Sequence, residues 1–153
     1  MVEEITPLIK FVNTISRITQ SYTDEAMAKF NLTTGTYPFL LVLYNNEGIN
    51  QNEISKELNV DKALSARAIK KLIELQFIEK KNDEKDSRAY KLYLTDKGKE
   101  IVPEIKKEIL HWISIITADL CTEEKVILGQ LLDKVLNNAK EYKIKNEKGD
   151  CRL

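Results

Sequence analysis

A mainly α-helical fold carrying one small β-hairpin is predicted for this chain by three observations. Apolar residues recur at three- and four-residue steps through most of its 153 residues, the period of helices buried along one side. Between Ile78 and Thr95 that period gives way to two short runs around a fully polar loop, and in the second Tyr90, Leu92 and Leu94 alternate with Lys91 and Tyr93, as in a half-buried strand. Residues suited to helix starts, Asn50 and Asp61, stand just before two of the helical runs.

Taken in order, Ile5, Leu8, Ile9, Val12, Ile15, Ile18, Tyr22, Ala26 and Phe30 form one stripe of a long first helix, with Pro7 tolerated near its first turn. Thr33 and Thr34 offer caps for a shorter second helix running to about Asn45, with Pro38 in or near its first turn and Gly48 ending it. Asn50-Gln51-Asn52-Glu53 has the capping-box pattern for a third helix that carries Ile54 and Leu58 inward. Asn59-Val60 makes a tight turn, and Asp61 caps a fourth helix. Ile78 to Asn82 and Arg88 to Thr95 read as strands joined by Asp83-Glu84-Lys85-Asp86-Ser87. Thr95 or Asp96 caps a fifth helix bearing Ile101, Ile105, Ile109, Trp112, Ile113, Ile116 and Leu120, in which Pro103 should cause a kink or delay the regular start. Thr122-Glu123-Glu124 places a cap and two carboxylates at the positive start of a sixth helix, with Leu128, Leu132, Val135, Ala139 and Tyr142 on one side. The polar residues 143–153 read as a frayed extension.

Composition narrows the function classes. Lys and Arg total 24 and Asp and Glu total 24, so zero net charge argues at first against a nucleic-acid partner. The charges are unevenly placed: residues 56–97 carry 11 positive and 8 negative groups, whereas residues 1–55 carry 3 and 6. A locally basic middle between more acidic flanks limits indiscriminate sticking. No apolar run is long enough to span a membrane, and the acidic start Met1-Val2-Glu3-Glu4 lacks a signal-peptide pattern, so a cytoplasmic protein is expected. Cys121 and Cys151 stand far apart, outside any metal-ligand spacing, and read as reduced thiols. No metal and no cofactor is implied, and no phosphate loop, nucleophile elbow or carboxylate pair suggests an enzyme.

The fourth helix carries the chemistry. On a helical wheel Leu64, Ala68, Leu72 and Leu75 share one quadrant, flanked by Ser65 and Ile69, while the opposite face presents Ala63, Ala66, Arg67 and Lys70 with Lys71 at the side. Small residues let such a helix approach a major groove, Arg67 can donate two hydrogen bonds to a guanine edge, and the lysines can neutralise phosphates. An ordinary solvated helix face would have a similar composition. The hairpin separates the two readings: Arg88 follows a tight turn with Asp86 two residues before it, an arrangement suited to inserting a directed guanidinium into a narrow minor groove, with Lys85 beside it. Helix, turn, helix and basic-tipped hairpin are the parts of a winged helix-turn-helix.

Over residues 32 to 105 the chain resembles the MarR (multiple antibiotic resistance regulator) family of transcription factors, through Asp86-Ser87-Arg88, Leu94-Thr95 and Gly98. The resemblance implies a winged helix-turn-helix with flanking dimerisation helices: helix-turn-helix 50–75, wing 78–95, dimerisation segments 1–31 and 97–142, all within one domain of residues 1–140. It also implies a homodimer on pseudo-palindromic double-stranded DNA, most often a repressor, with Arg88 as the wing-tip finger and Asp86 as its positioner. The family often takes small aromatic effectors in a cleft, to which Phe11, Tyr37, Phe39, Tyr44, His111 and Trp112 would contribute here. One residue departs from the family pattern: Gln76 stands where glycine usually precedes the hydrophobic pair leading into the wing. Single-histidine content fits the zinc-sensing branch poorly, and the first helix lacks the cysteine of the peroxide-sensing branch. A winged-helix interaction module without DNA binding and a thiol-based redox regulator stay open as alternatives.

Overall fold

The computed structural model describes residues 7–149. Its elements are α1 (Pro7–Ala28), α2 (Tyr37–Asn45), α3 (Gln51–Leu58), α4 (Lys62–Glu74), β1 (Ile78–Asn82), β2 (Tyr90–Leu94), α5 (Asp96–Ile116) and α6 (Thr122–Gly149). The strands pair antiparallel from Ile78↔Leu94 to Asn82↔Tyr90. Ile49 adds a short bridge to Leu92, with Gly48 N–H donating to the Leu92 carbonyl at 2.9 Å. Among the described residues no helix is long and apolar enough to cross a membrane. The fold is thus mainly helical with a hairpin wing, as the periodicity predicts.

The chain divides into two compact units, residues 1–112 and 113–153. The first holds the core, in which Met27, Leu32, Phe39, Leu40, Leu43, Ile54, Ile69, Leu72, Phe77, Ile78, Leu92, Leu94, Val102 and Ile105 are buried. Leu92 and Leu94 follow the predicted alternation, but Tyr90 at the far end of β2 is 52% exposed. In α4 the buried face is turned from the predicted one: Ser65, Ala68, Ile69 and Leu72 are buried, and Leu64 and Leu75 only partly. Of α1 only Thr23 and Met27 are buried, while Leu8, Ile9, Phe11, Val12, Ile15 and Ile18 remain exposed. In the second unit α6 contains no buried residue among those described, and Leu128, Leu131, Leu132, Val135 and Leu136 are exposed.

Helix ends explain much of the chain's local geometry. Three helices end by the same device, in which the N–H of a left-handed residue and the N–H after it turn back onto the last carbonyls. Asn31, Asn59 and Gln76 are those residues, with φ of 58°, 53° and 63°. After α4, Gln76 N–H reaches the Ile73 carbonyl and Phe77 N–H the Leu72 carbonyl, each at 2.9 Å. Asparagine tolerates this conformation; glutamine at position 76 does so without glycine's freedom.

Several helix starts differ from expectation. The second helix starts after Thr36 rather than at Thr33 or Thr34, and without a side-chain cap: the Thr36 hydroxyl turns back to accept from Thr33 N–H at 2.8 Å, while Thr34 N–H is taken by the Asp24 carboxylate at 2.6 Å. Pro103 does not delay α5, which begins at Asp96: Thr95 Oγ1 accepts from Gly98 N–H at 3.0 Å and caps it. At the start of α6 the carbonyl of Cys121, not Thr122, accepts the first helical bond, and Glu124 reaches back to the Cys121 N–H at 2.9 Å. The Glu123 carboxyl is held below the usual range by a bond from its own N–H and then by the Cys121 side chain. Residues 143–149 continue α6 as helix instead of fraying, and Cys151 lies outside the described residues.

Candidate nucleic-acid interface

The pairing of α3 and α4 is held by polar groups at both ends of the turn. Both bonds of the Asn50 capping box form: Glu53 N–H donates to Asn50 Oδ1 at 3.0 Å, and Asn50 N–H donates to Glu53 Oε2 at 2.8 Å. Asp61 Oδ1 accepts from Leu64 N–H at 2.7 Å and starts α4. Between the helices a buried chain runs from Ser65 Oγ to Ser55 Oγ at 2.6 Å and on to the Gln51 carbonyl at 2.8 Å. Ser55 donates to that carbonyl, so Ser65 supplies the proton of the short bond. Gln51 Nε2 also donates to the Lys62 carbonyl at 3.2 Å. Two small hydroxyls thus let the helix backbones approach, and among the described residues no buried side-chain nitrogen or oxygen is left unsatisfied. Periodicity does not reveal this clamp, since a polar residue at a core position weakens the apolar pattern and nothing in the ten-residue separation of the two serines announces it.

The opposite face of α4 is open. Ala63, Ala66, Arg67, Lys70 and Lys71 are all exposed, and among the described residues none of the three cations is in an ion pair. A convex helix with small residues between unpaired cations has the shape and charge that a major groove accepts.

The wing carries Lys85, Asp86 and Arg88 exposed on the loop between β1 and β2. Asp83 N–H donates to the Ala89 carbonyl and Ala89 N–H to the Asp86 carbonyl, both at 3.0 Å. Lys85 N–H donates to Asp83 Oδ1 at 2.9 Å, and Asp83 also faces Lys91 at 3.8 Å. Asp86 differs from its expected role: Oδ1 accepts the backbone N–H of Arg88 at 3.0 Å, so the carboxylate shapes the turn and is not paired with the guanidinium. Arg88 has no ion pair among the described residues and is left to project from the tip. Farther down the hairpin Lys81 is engaged by Glu79 at 3.0 Å, whose hydrogen bond and charge raise the pKa of the ammonium. Lys80 and Lys81 also lie over the Tyr90 and Tyr93 rings.

The six aromatic and histidine candidates stand in different surroundings. Phe39 is only 1% exposed and belongs to the core, which removes it as a ligand contact. Tyr37 is half-buried, and burial, then the Asp24 charge, pushes its hydroxyl pKa up. Trp112 stacks on Tyr22 with centroids 4.4 Å apart and donates to Thr19 Oγ1 at 3.0 Å. Tyr44 is exposed with Lys106 over its ring, while Phe11 and His111 lie on exposed faces of α1 and α5. A cleft of about 400 Å³ opens at the wing root, lined by Glu47, Glu79, Lys81, Tyr93, Asp96 and Lys99 among others, and none of the six lines it. Among the described residues no cluster of His, Cys, Asp and Glu is able to hold a metal ion.

A helix–turn–helix with an exposed cationic second helix and a basic-tipped hairpin defines a winged helix-turn-helix protein. The family model described as transcriptional regulator SarA/Rot matches residues 21–105. An HTH-type transcriptional regulator of Bacillus subtilis, YybA, is 33% identical over 94% of this chain and 97% of its own. A MarR protein from Peptoclostridium difficile has a structure superposing with a TM-score of 0.86 at 35% identity, covering 91% of each chain. A putative MarR family regulator from Listeria monocytogenes, solved with a 26mer DNA, gives a TM-score of 0.86 at 26% identity over 92% of this chain and 94% of that one. The chain belongs to the MarR family of winged helix-turn-helix transcriptional regulators, proteins that control transcription and are not enzymes.

Proposed function

We propose that this regulator is a homodimeric, sequence-specific repressor that binds a pseudo-palindromic DNA operator in the cytoplasm. The observation that carries the reading is the joint exposure of Arg67 on α4 and Arg88 at the wing tip, neither in an ion pair among the described residues. Arg67, with Ala63 and Ala66 giving close approach, is the base-reading group; Lys70, Lys71 and Lys85 neutralise phosphates; Arg88 enters the minor groove on a turn shaped by Asp86. The DNA complex of the Listeria relative supports the same partner here. Pairing of two copies is supported by the uncovered apolar faces of α1 and α6, and a two-fold protein suits a two-fold site. Release by a small-molecule or stress signal completes the reading. It requires an effector with different affinity for DNA-competent and incompetent forms, with Phe11, Tyr37, Tyr44, His111 and Trp112 as aromatic contacts.

The test is Arg67→Ala measured on two duplexes: one selected by the wild-type protein from a random pool, and a scrambled duplex of equal composition. The selected duplex should lose about 1–3 kcal/mol per half-site and the scrambled one much less. Equal losses on both would make Arg67 a phosphate contact and remove the base-reading role.

A further inference from the structure

Three consecutive carbonyls just past the end of α4 are all satisfied by residues 95–97. Lys97 Nζ donates to the Leu75 carbonyl at 2.9 Å. Thr95 Oγ1 donates to the Gln76 carbonyl at 2.6 Å, and Thr95 N–H to the Phe77 carbonyl at 3.0 Å. The same Thr95 oxygen accepts from Gly98 N–H at 3.0 Å, so one hydroxyl both ties down the end of α4 and caps α5. Lys97 Nζ also lies over the ring of Phe77, the first residue of the wing's approach, 4.8 Å from its centroid. Gly98 is buried against this joint so tightly that a Cβ there would stand 2.2 Å from the Phe77 carbonyl oxygen. The wing closes at the same place, through the Ile78↔Leu94 pair.

The last carbonyls of α4 itself, those of Lys71, Leu72 and Ile73, are taken by the N–H groups of its own terminal turn. The three that follow them are claimed instead by Thr95, through its N–H and its hydroxyl, and by the Lys97 ammonium, at the start of α5. Arg67 lies on α4 only about 12 Å of helix rise from Leu75, so a small rotation at this end displaces the reading face by a comparable angle. Base readout depends on such placement, whereas phosphate attraction tolerates displacement.

We propose that Thr95 and Lys97 are positioning residues for DNA recognition: they lock the end of α4 and the wing root to the first turn of α5, so that Arg67 and Arg88 are presented in fixed mutual orientation. The proposal rests on the DNA-binding reading above. Neither residue belongs to the buried core, Thr95 being half-buried and Lys97 exposed, so their loss removes hydrogen bonds without opening a cavity.

The experiment compares wild type, Thr95→Val, Thr95→Ser and Lys97→Met by fluorescence anisotropy on the selected and scrambled duplexes at one salt concentration, below the melting temperature of each variant. Thr95→Val and Lys97→Met keep side-chain volume but lose the donors, and each should lower the ratio of selected to scrambled affinity about tenfold, chiefly through the selected duplex. Thr95→Ser keeps both bonds and should restore the ratio to within about twofold of wild type. If Thr95→Val unfolds, Lys97→Met decides the matter, since an exposed lysine is dispensable for folding. A wild-type ratio in Lys97→Met, or equal losses on both duplexes, overturns the positioning role while leaving DNA binding in place. Failure of the wild-type protein to prefer any duplex overturns the underlying reading together with it.

Discussion

Two neighbouring backbone positions, Gln76 and Gly98, set opposite demands at the single-residue scale. Gly98 leaves no room for a methyl group, because the obstruction at 2.2 Å is a backbone carbonyl and not a movable side-chain end. Gly98→Ala should therefore cost about 3 kcal/mol, seen as a lower urea midpoint at unchanged slope and fixed protein concentration. Gln76, at φ 63°, occupies a conformation glycine adopts freely, so Gln76→Gly should raise stability by about 0.5–1 kcal/mol in the same assay. A midpoint that falls on Gln76→Gly would mean its side chain contributes more than its backbone strain costs. At the wing tip the bond from Arg88 N–H to Asp86 Oδ1 makes a distinct prediction. Asp86→Asn keeps that acceptor and removes a negative charge from the DNA-facing loop, so it should bind a selected duplex at least as well as wild type. Asp86→Ala loosens the turn and should weaken binding by less than Arg88→Ala. Weakened binding by Asp86→Asn would restore the carboxylate as a direct partner of the guanidinium.

Elements were legible where one chemical signal dominates, and misread where two compete. The capping box at Asn50, the cap at Asp61 and the pairing of Ile78–Asn82 with the second strand follow directly from residue type and spacing. The cationic face of α4 was equally readable, because charged residues at helical spacing can only point outward. Its buried face was placed off by a fraction of a turn, since Ser65 packs inward where α3 and α4 meet and the apolar pattern cannot register a hydroxyl pair. Phe39 lies in the core and not in a ligand cleft, a distinction the sequence does not carry because an aromatic residue looks the same there whether it lines a core or a pocket. The wing-root joint was invisible for another reason: it is built from backbone carbonyls, which carry no residue signature. At this scale the apolar faces of α1 and α6 make the dimer testable. Leu132 and Val135 are 48% and 46% exposed, so Leu132→Glu with Val135→Glu removes no buried contact within the chain. The double variant should sediment at half the wild-type mass and lose more than tenfold in DNA affinity. A wild-type chain that already sediments as a monomer at micromolar concentration would contradict the pairing.

For the whole molecule, zero net charge and a cationic reading surface are compatible because charge is segregated along the chain. The excess of 11 positive over 8 negative groups within residues 56–97 coincides with α4 and the wing, and the flanking helices carry the balancing acids. Binding that depends on this surface must release counterions from DNA in proportion to the phosphates contacted. The central claim, that the two heads of a dimer clamp duplex DNA through α4 and the wing, is therefore tested most directly by titrating wild-type protein onto a selected duplex across a range of potassium chloride concentrations. With about eight phosphate contacts per dimer, log K against log salt should fall with a slope near −7. A slope near zero, or no measurable binding to any duplex at low salt, would contradict it.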